Sequence, residues 1–409
     1  VDAAEAGVAA PAPSSAARGT RASRYRDANA ATSGTILAVK VLIDTTYAAR
    51  APLSGTAVYL ENLIRELGEQ GEVEVEEATN ERRTTVAGGG IGSARNAAVD
   101  AWWAEVELPR IARRAGADVI HHALPARAHG RAIPQVVTVY DLAFEVFPGM
   151  FDSRFATYAH LTYRQAAASA DGVIAISQTT ADEVVKRWRV PRQRITVAAL
   201  GPGQALPAPP PRPRTHFLYV GDSEPRKDLS TLLVAYRDYR GGQLAAVPPP
   251  VAGDRQTAAE ANPQSPDGPL PLILAGHVDD PGQPGVSVER AVDRERLAEL
   301  YAGAVALVHP ALYEGFGLTV LEAMSVGTPV IAAASAAALE IGGDAIAQYP
   351  PGDRPALAAR LAEIAGDPAE RERLAAAGTA RAAGFSWAAC ARAHAAAYSL
   401  AVTTRRRPG

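Results

Sequence analysis

Two carboxylates set around a pair of glycines mark one place where this sequence can do chemistry. The stretch His309-Pro310-Ala311-Leu312-Tyr313-Glu314-Gly315-Phe316-Gly317-Leu318-Thr319 follows an apolar run and leads into Val320-Leu321-Glu322-Ala323-Met324. It reads as a strand, a loop and the start of a helix. Gly315 and Gly317 carry no Cβ, so backbone there can approach a ligand closely. A helix beginning at Leu318 and Thr319 turns N–H groups and a positive dipole end toward the loop, which suits a diphosphate. Glu314 lies in the loop and Glu322 on the helix. At 1.5 Å rise per residue the two carboxylates stand roughly 10 Å apart and can flank one ligand. By spacing alone, the same pattern also reads as a tight turn with two solvated glutamates. Gly327 and Pro329 end the helix.

Three other places have residues of interest. Arg226 and Lys227 sit side by side in Val220-Gly221-Asp222-Ser223-Glu224-Pro225-Arg226-Lys227-Asp228, at a strand-to-helix junction. Open α/β sheets bind ligands at such junctions, although a surface Arg-Lys pair is ordinarily just solvated. Gly55, in Ser54-Gly55-Thr56, stands at another such turn, where glycine commonly approaches phosphate and otherwise merely starts a helix. The apolar Val136–Val139 strand ends in Tyr140-Asp141-Leu142.

The elements that must position these residues follow from periodicity. Short apolar runs alternate with longer helical stretches across all 409 residues, implying an α/β chain with parallel sheets covered by helices on both faces. Proline crowds 207–213, giving a stiff linker between two doubly wound domains, 35–206 and 214–385. Residues 241–271 have no period and read as a mobile insertion. Residues 1–34 read as a disordered extension, and 386–409 as a closing helix.

A hydrophobic content of 47% supports sizeable cores, and a net charge of -3 argues against a nucleic-acid partner. Cys390 is the only cysteine, which excludes an intrachain disulfide and a cysteine-based metal site and fits a cytoplasmic location. No apolar run is long enough to span a membrane. Peripheral contact with an anionic membrane is expected at Arg110, Arg113 and Arg114 and at the tail Arg405 to Arg407. The alternative is a solvated helix face and a frayed tail.

The Glu314–Glu322 string resembles the glutamate–seven-residue–glutamate signature of the retaining glycosyltransferases of family 4 (glycosyl transferases group 1). The resemblance implies a GT-B fold, two Rossmann-like domains facing a cleft, with the closing helix crossing back to the first domain. It implies that Glu314, Gly315, Phe316 and Gly317 contact the donor sugar and that Glu322 holds the ribose. The Gly221–Leu229 segment is similar to the family's basic segment, in which the pair, here Arg226 and Lys227, grips the donor diphosphate. Asp228 stands where the family often has Asn, and either can cap the following helix. Gly55 resembles one glycine of the family's glycine loop; the second glycine and an arginine are missing. Tyr140 replaces the His with which the family reaches the donor sugar, leaving His121 or His122 as candidate substitutes.

The expected reaction is retaining hexosyl transfer from a nucleoside-diphosphate sugar, of GDP-mannose or UDP-glucose type, to a hydroxyl acceptor. With no Asp-x-Asp in the chain, no metal cofactor is expected. A sugar-nucleotide epimerase or a degenerate sugar-nucleotide binding protein is the alternative. A dehydrogenase is disfavoured because no Gly-x-Gly-x-x-Gly follows the first strand.

Overall fold

In a computed structural model the chain forms two six-stranded sheets, every strand parallel to its neighbours. The described residues are 39–51, 54–82, 91–125, 132–204, 206–207, 212–242 and 268–406. The expected extension 1–34, most of the 207–213 linker, most of the 241–271 insertion and Arg407 lie outside them.

The first sheet contains β1 (Val39–Asp44), β2 (Val73–Ala78), β3 (Val119–His122), β4 (Gln135–Val139), β5 (Gly172–Ala175) and β6 (Ile195–Val197). The second contains β7 (His216–Val220), β8 (Leu272–Ala275), β9 (Val286–Glu289), β10 (Ala304–His309), β11 (Val330–Ala333) and β12 (Ala347–Tyr349). Around the first lie α1 (Thr46–Arg50), α2 (Gly55–Gln70), α3 (Ile91–Trp102), α4 (Leu108–Ala115), α5 (Ala143–Val146), α6 (Ser153–Ser169) and α7 (Gln178–Glu183). With the second come α8 (Leu229–Arg240), α9 (Arg294–Gly303), α10 (Leu318–Ser325), α11 (Ala336–Gly342), α12 (Arg354–Gly366) and α13 (Pro368–Ala382), and α14 (Trp387–Arg406) closes the chain.

Central strands buried on both faces read as continuous apolar runs. β10, Ala-Val-Ala-Leu-Val-His, is buried throughout, and so is β4. The edge strands β9 (Val-Ser-Val-Glu) and β12 (Ala-Gln-Tyr) are short and carry polar residues, so the apolar pattern does not reveal them. A π-helical turn, Trp103–Glu107, joins α3 to α4, and another, Val184–Trp188, continues α7.

Strand order explains where a ligand can go. The second sheet runs β12-β11-β10-β7-β8-β9 and the first β2-β1-β3-β4-β5-β6. Order reverses between β7 and β10 in one and between β1 and β3 in the other. Chains leaving the carboxyl ends of two such strands diverge to opposite faces and open a crevice. The loops holding Arg226-Lys227 and Glu314 follow β7 and β10, so both rise from the second sheet's crevice.

One hydrophobic core runs through both halves, joining Ile43, Tyr59 and Leu60 to Phe316, Val320 and Leu321 and to Ala391 and Tyr398 of α14. α14 thus packs back on the first sheet. A buried hydrogen-bond chain ties it there. His394 Nδ1 lies 2.8 Å from the Cys390 carbonyl, which can only accept, so Nδ1 carries the proton and Nε2 accepts. Tyr59 then donates to His394 Nε2 (2.6 Å), and Thr138 donates to Tyr59 (3.2 Å). His121 Nε2–H donates to Thr138 Oγ1 (2.8 Å), and Tyr398 donates to His121 Nδ1 (2.8 Å). This arrangement places one proton in every link with both rings neutral. Burial pushes both imidazoles down, His394 to about 4.

His121 is therefore committed to α14, and His122 Nε2 meets Gln135 Oε1 at 2.9 Å. Neither takes the place of the imidazole that Tyr140 replaces. Both are fully buried sheet residues with partners of their own.

Candidate active site at the second crevice

Glu314, Arg226 and Lys227 form one ion cluster. Arg226 reaches Glu314 Oε2 at 3.0 Å, and Lys227 Nζ lies 2.7 Å from Oε1. Arg226 also donates to Glu224 at 2.6 Å. The Arg226 carbonyl accepts from Leu312 N–H (2.9 Å), which stitches the two loops together. Burial raises the Glu314 pKa, but Lys227 and then Arg226 outweigh it and hold it at about 2. Burial likewise opposes charge on Arg226, yet Glu314 and Glu224 hold its pKa above the ordinary value. The family resemblance gives these residues separate sugar and phosphate roles; the structure makes Glu314 the counter-ion of both cations.

Helix α10 starts beside the cluster. Gly317, at φ 98°, is its N-cap and adopts a left-handed conformation that glycine meets without strain. The first N–H groups of a helix have no partner within it, so an end such as that at Leu318 and Thr319 suits an anion. Gly55 faces this end from the first half: a Cβ there would sit 3.6 Å from Leu318 Cδ1.

Gly315 serves another purpose than the sequence suggests. A Cβ on it would lie 2.0 Å from the Tyr140 carbonyl, and its own carbonyl accepts from Ser177 Oγ (2.6 Å) and Thr180 Oγ1 (3.2 Å). Its missing side chain lets the two halves touch, so its closeness is to protein. The Phe316 side chain is also absent from the crevice. It is buried in the core, edge-on to Phe385 at 6.1 Å, which leaves only its backbone for a donor.

Tyr140 stands opposite, packed edge-on against Tyr59 at 5.5 Å. Its hydroxyl oxygen is buried without an aligned hydrogen-bond partner. Burial pushes the phenol pKa up, opposed in part by the nearby Thr56 side chain. The adjacent Asp141 is half-buried, its pKa raised by burial and lowered by Ala143 N–H and the Arg226 charge. Asp141 thus brings a carboxyl from the first half toward the cluster, a role its sequence context did not single out.

Glu322 lies deeper. Its Oε1 accepts from Gln204 N–H (3.1 Å) and its Oε2 from Tyr301 Oη–H (2.9 Å), and burial raises its pKa. Gly203 leaves room for it, since a Cβ would fall 1.8 Å from Oε1. Trp387 Nε1–H donates to the Pro202 carbonyl at 2.9 Å. Glu322 therefore fastens the connector between the sheets, whatever else it holds. Gly221 follows β7, and its carbonyl packs so close to Gly276 that a Cβ there would be 2.0 Å away.

Asp228 corrects one expectation. It precedes α8 at φ 49°, and its carboxylate accepts from Ser230 Oγ–H (3.2 Å) instead of the helix backbone. Asp and Asn tolerate this left-handed region better than most residues, so conformation, more than capping, accounts for an Asx residue here.

Three further residues escaped the sequence reading. Tyr313 Oη accepts from Leu142 N–H across the halves (2.9 Å). The Glu340 carboxylate accepts from Gln178 N–H (2.7 Å) and Thr179 N–H (2.8 Å) at the start of α7. His309, at the end of β10, is buried among the cluster residues. Position at a strand terminus beside the crevice was the available signal for His309; the other two depend on tertiary contact.

Paired doubly wound sheets with an Arg-Glu-Lys cluster at one crevice define an α/β protein of the class that takes ligands where strand order reverses. Comparison with known proteins is narrower. The family described as Glycosyl transferases group 1 matches residues 208–381, and that described as Glycosyltransferase Family 4 matches residues 53–201. The chain belongs to this glycosyltransferase family and has its GT-B fold. It is 28% identical over 297 residues to O-antigen chain mannosyltransferase B of Escherichia coli, covering 67% of this chain and 72% of that one. It is 30% identical over 268 residues to a D-inositol 3-phosphate glycosyltransferase of Streptomyces avermitilis, covering 59% of this chain and 54% of the relative. Among solved structures, sucrose-phosphate synthase from Thermosynechococcus elongatus superposes with a TM-score of 0.64 at 19% identity, over 88% of this chain and 98% of that one. At that identity the likeness speaks for the fold alone.

Proposed function

We propose that the protein transfers a hexose, with retention of anomeric configuration and without a metal, from a nucleoside-diphosphate sugar to a hydroxyl. The observation that carries this reading is the Arg226–Glu314–Lys227 cluster facing the α10 N-terminus. A departing diphosphate gains negative charge as the C1–oxygen bond breaks, and preorganised cations with a helix dipole stabilise that charge. They occupy the place that a divalent cation would otherwise fill. The acceptor oxygen bonds to C1 on the same face, and its proton passes to the leaving phosphate oxygen. Glu314, fully ionised, accepts hydrogen bonds from the sugar hydroxyls.

Mannose is the favoured sugar because the Escherichia coli relative is a mannosyltransferase. GDP-mannose and UDP-glucose should be compared, with other nucleotide sugars, for thermal stabilisation, slow hydrolysis and transfer, each with and without EDTA. The reading predicts one preferred donor, EDTA-insensitive turnover and a product of unchanged anomeric configuration. Inhibition by EDTA reversed by Mn²⁺ would overturn metal independence, and an inverted product would overturn retention.

Peripheral membrane contact rests on α4. Arg110, Arg113 and Arg114 are exposed beside exposed Trp102, whose ring Arg110 covers at 5.8 Å. Arg405 is instead paired with Asp171 at 2.5 Å. Among the described residues no helix is long and apolar enough to cross a membrane. Flotation with anionic, but not neutral, vesicles is the expected result, and its loss in Arg110→Glu/Arg113→Glu would assign it to α4.

A further inference from the structure

His309 ends a strand whose other five residues are alanine, valine and leucine. Its ring is buried, with Nδ1 3.3 Å from Thr319 Oγ1 and Nε2 buried without a partner. A neutral imidazole carries one proton. With Thr319 donating to Nδ1, that proton sits on Nε2 and has no acceptor; in the other tautomer Nε2 is an unmet acceptor. Either way a buried polar atom goes unsatisfied, which is unfavourable to folding. An apolar residue would complete this strand without that cost.

The surroundings say what Nε2 is for. The charged groups acting on the ring are Glu314 from the loop after β10, and Lys227 and Arg226 from the loop after β7. Thr319, which orients the ring, belongs to the first turn of α10. Two cations and a helix N-terminus therefore converge where the imidazole has a proton to give, and an anion completes such a set.

We infer that His309 binds the donor's diphosphate through Nε2–H, so that the site's imidazole comes from the second half, where Tyr140 provides none from the first. The inference rests on the proposed reading of this site as a nucleoside-diphosphate-sugar site. Burial, with the Lys227 and Arg226 charges, holds the empty-site pKa of His309 down at about 4, so the ring adds no third cation until an anion arrives. The diphosphate's charge opposes those cations and favours the donor tautomer.

The test compares GDP, guanosine and inorganic pyrophosphate binding by calorimetry to wild type, His309→Leu and His309→Gln. Folding of each variant is checked by circular dichroism. A hydrogen bond to a charged group is worth about 1.5–3 kcal/mol, so His309→Leu should weaken GDP and pyrophosphate by roughly ten- to a hundred-fold. Guanosine should bind as before, and His309→Gln, whose amide can donate, should recover part of the loss. In the wild type the His309 ¹⁵Nε2 resonance should shift on adding pyrophosphate, which needs no substitution. GDP and pyrophosphate bound equally by wild type and both variants, with an unmoved ¹⁵N signal, would overturn the inference alone. Wild-type protein that binds no nucleoside diphosphate, GDP or UDP, would overturn the donor-site reading and this inference with it.

Discussion

Tyr398, His121, Thr138, Tyr59 and His394 are buried, neutral and joined end to end behind the first sheet. Arg226, Lys227 and Glu314, at the second crevice, are half-buried and charged, and the neutral His309 beside them has Nε2 left over. The first cluster closes on itself: each donor meets one acceptor, and the chain fixes α14 to the sheet. The second does not. Buried ion clusters contribute little net stability, because desolvation offsets most of the Coulombic gain. A neutral chain with every link made is what folding alone selects. A charged set with a polar atom to spare suits a ligand that arrives later. Tyr140 lies between them, its ring against Tyr59 of the neutral chain and its hydroxyl buried near Thr56.

The largest effect should come from Glu314→Gln, which removes a contact strengthened in the transition state. Turnover per folded molecule should fall on the order of 10²–10³-fold. Because the change also uncovers two cations, some stability goes with it, and pyrophosphate should restore that part. Activity within tenfold of wild type would break the contrast between the clusters.

Tyr398→Phe should do the reverse. It leaves His121 Nδ1 without its donor, at a cost of roughly 1–3 kcal/mol in stability, while turnover per folded molecule stays unchanged. A denaturant midpoint equal to wild type would show that the chain does not hold α14.

Acid separates the clusters further. His394 and His309 fall from 6.5 to about 4 on folding, so the unfolded chain binds their protons first. Their contribution to stability is complete above pH 6.5 and is lost as pH drops toward 4. Glu314, ordinarily 4.5 and held near 2, contributes fully above 4.5 and loses that contribution only as pH falls toward 2. Melting temperature should therefore decline below pH 6.5, less steeply in His394→Gln. Pyrophosphate should relieve the part due to His309 alone.

The smallest effect belongs to Tyr140→Phe. A neutral hydrogen bond is worth about 0.5–1.5 kcal/mol, a several-fold loss in transfer that should differ among donors. Equal activity on every donor would make Tyr140 a packing residue joined to the neutral chain through Tyr59.

Much of the fold was legible because central parallel strands are continuous apolar runs: His216–Val220, Leu272–Ala275 and Val330–Ala333 fall where the apolar pattern puts them. The edges β9 and β12 were not, since a strand exposed on one side needs fewer apolar residues. In the site, Glu314, Arg226 and Lys227 were visible from residue type and position at strand ends. Their pairing was not, because it joins loops 88 residues apart for Arg226 and Glu314. Gly315 shows the limit best. A glycine signals close approach, but sequence does not say whether the approaching group is a ligand or, as here, the Tyr140 carbonyl.

The central claim is that the charged cluster is the donor site and the neutral chain is structural. Melting of wild type, Arg226→Ala and Tyr398→Phe with and without saturating GDP tests it in one measurement. Ligand at a hundred times its dissociation constant stabilises by about 2.7 kcal/mol. Wild type and Tyr398→Phe should gain the same increment from GDP, the latter from a lower start, and Arg226→Ala should gain little or none. A full GDP increment in Arg226→Ala, or its loss in Tyr398→Phe, would contradict the account.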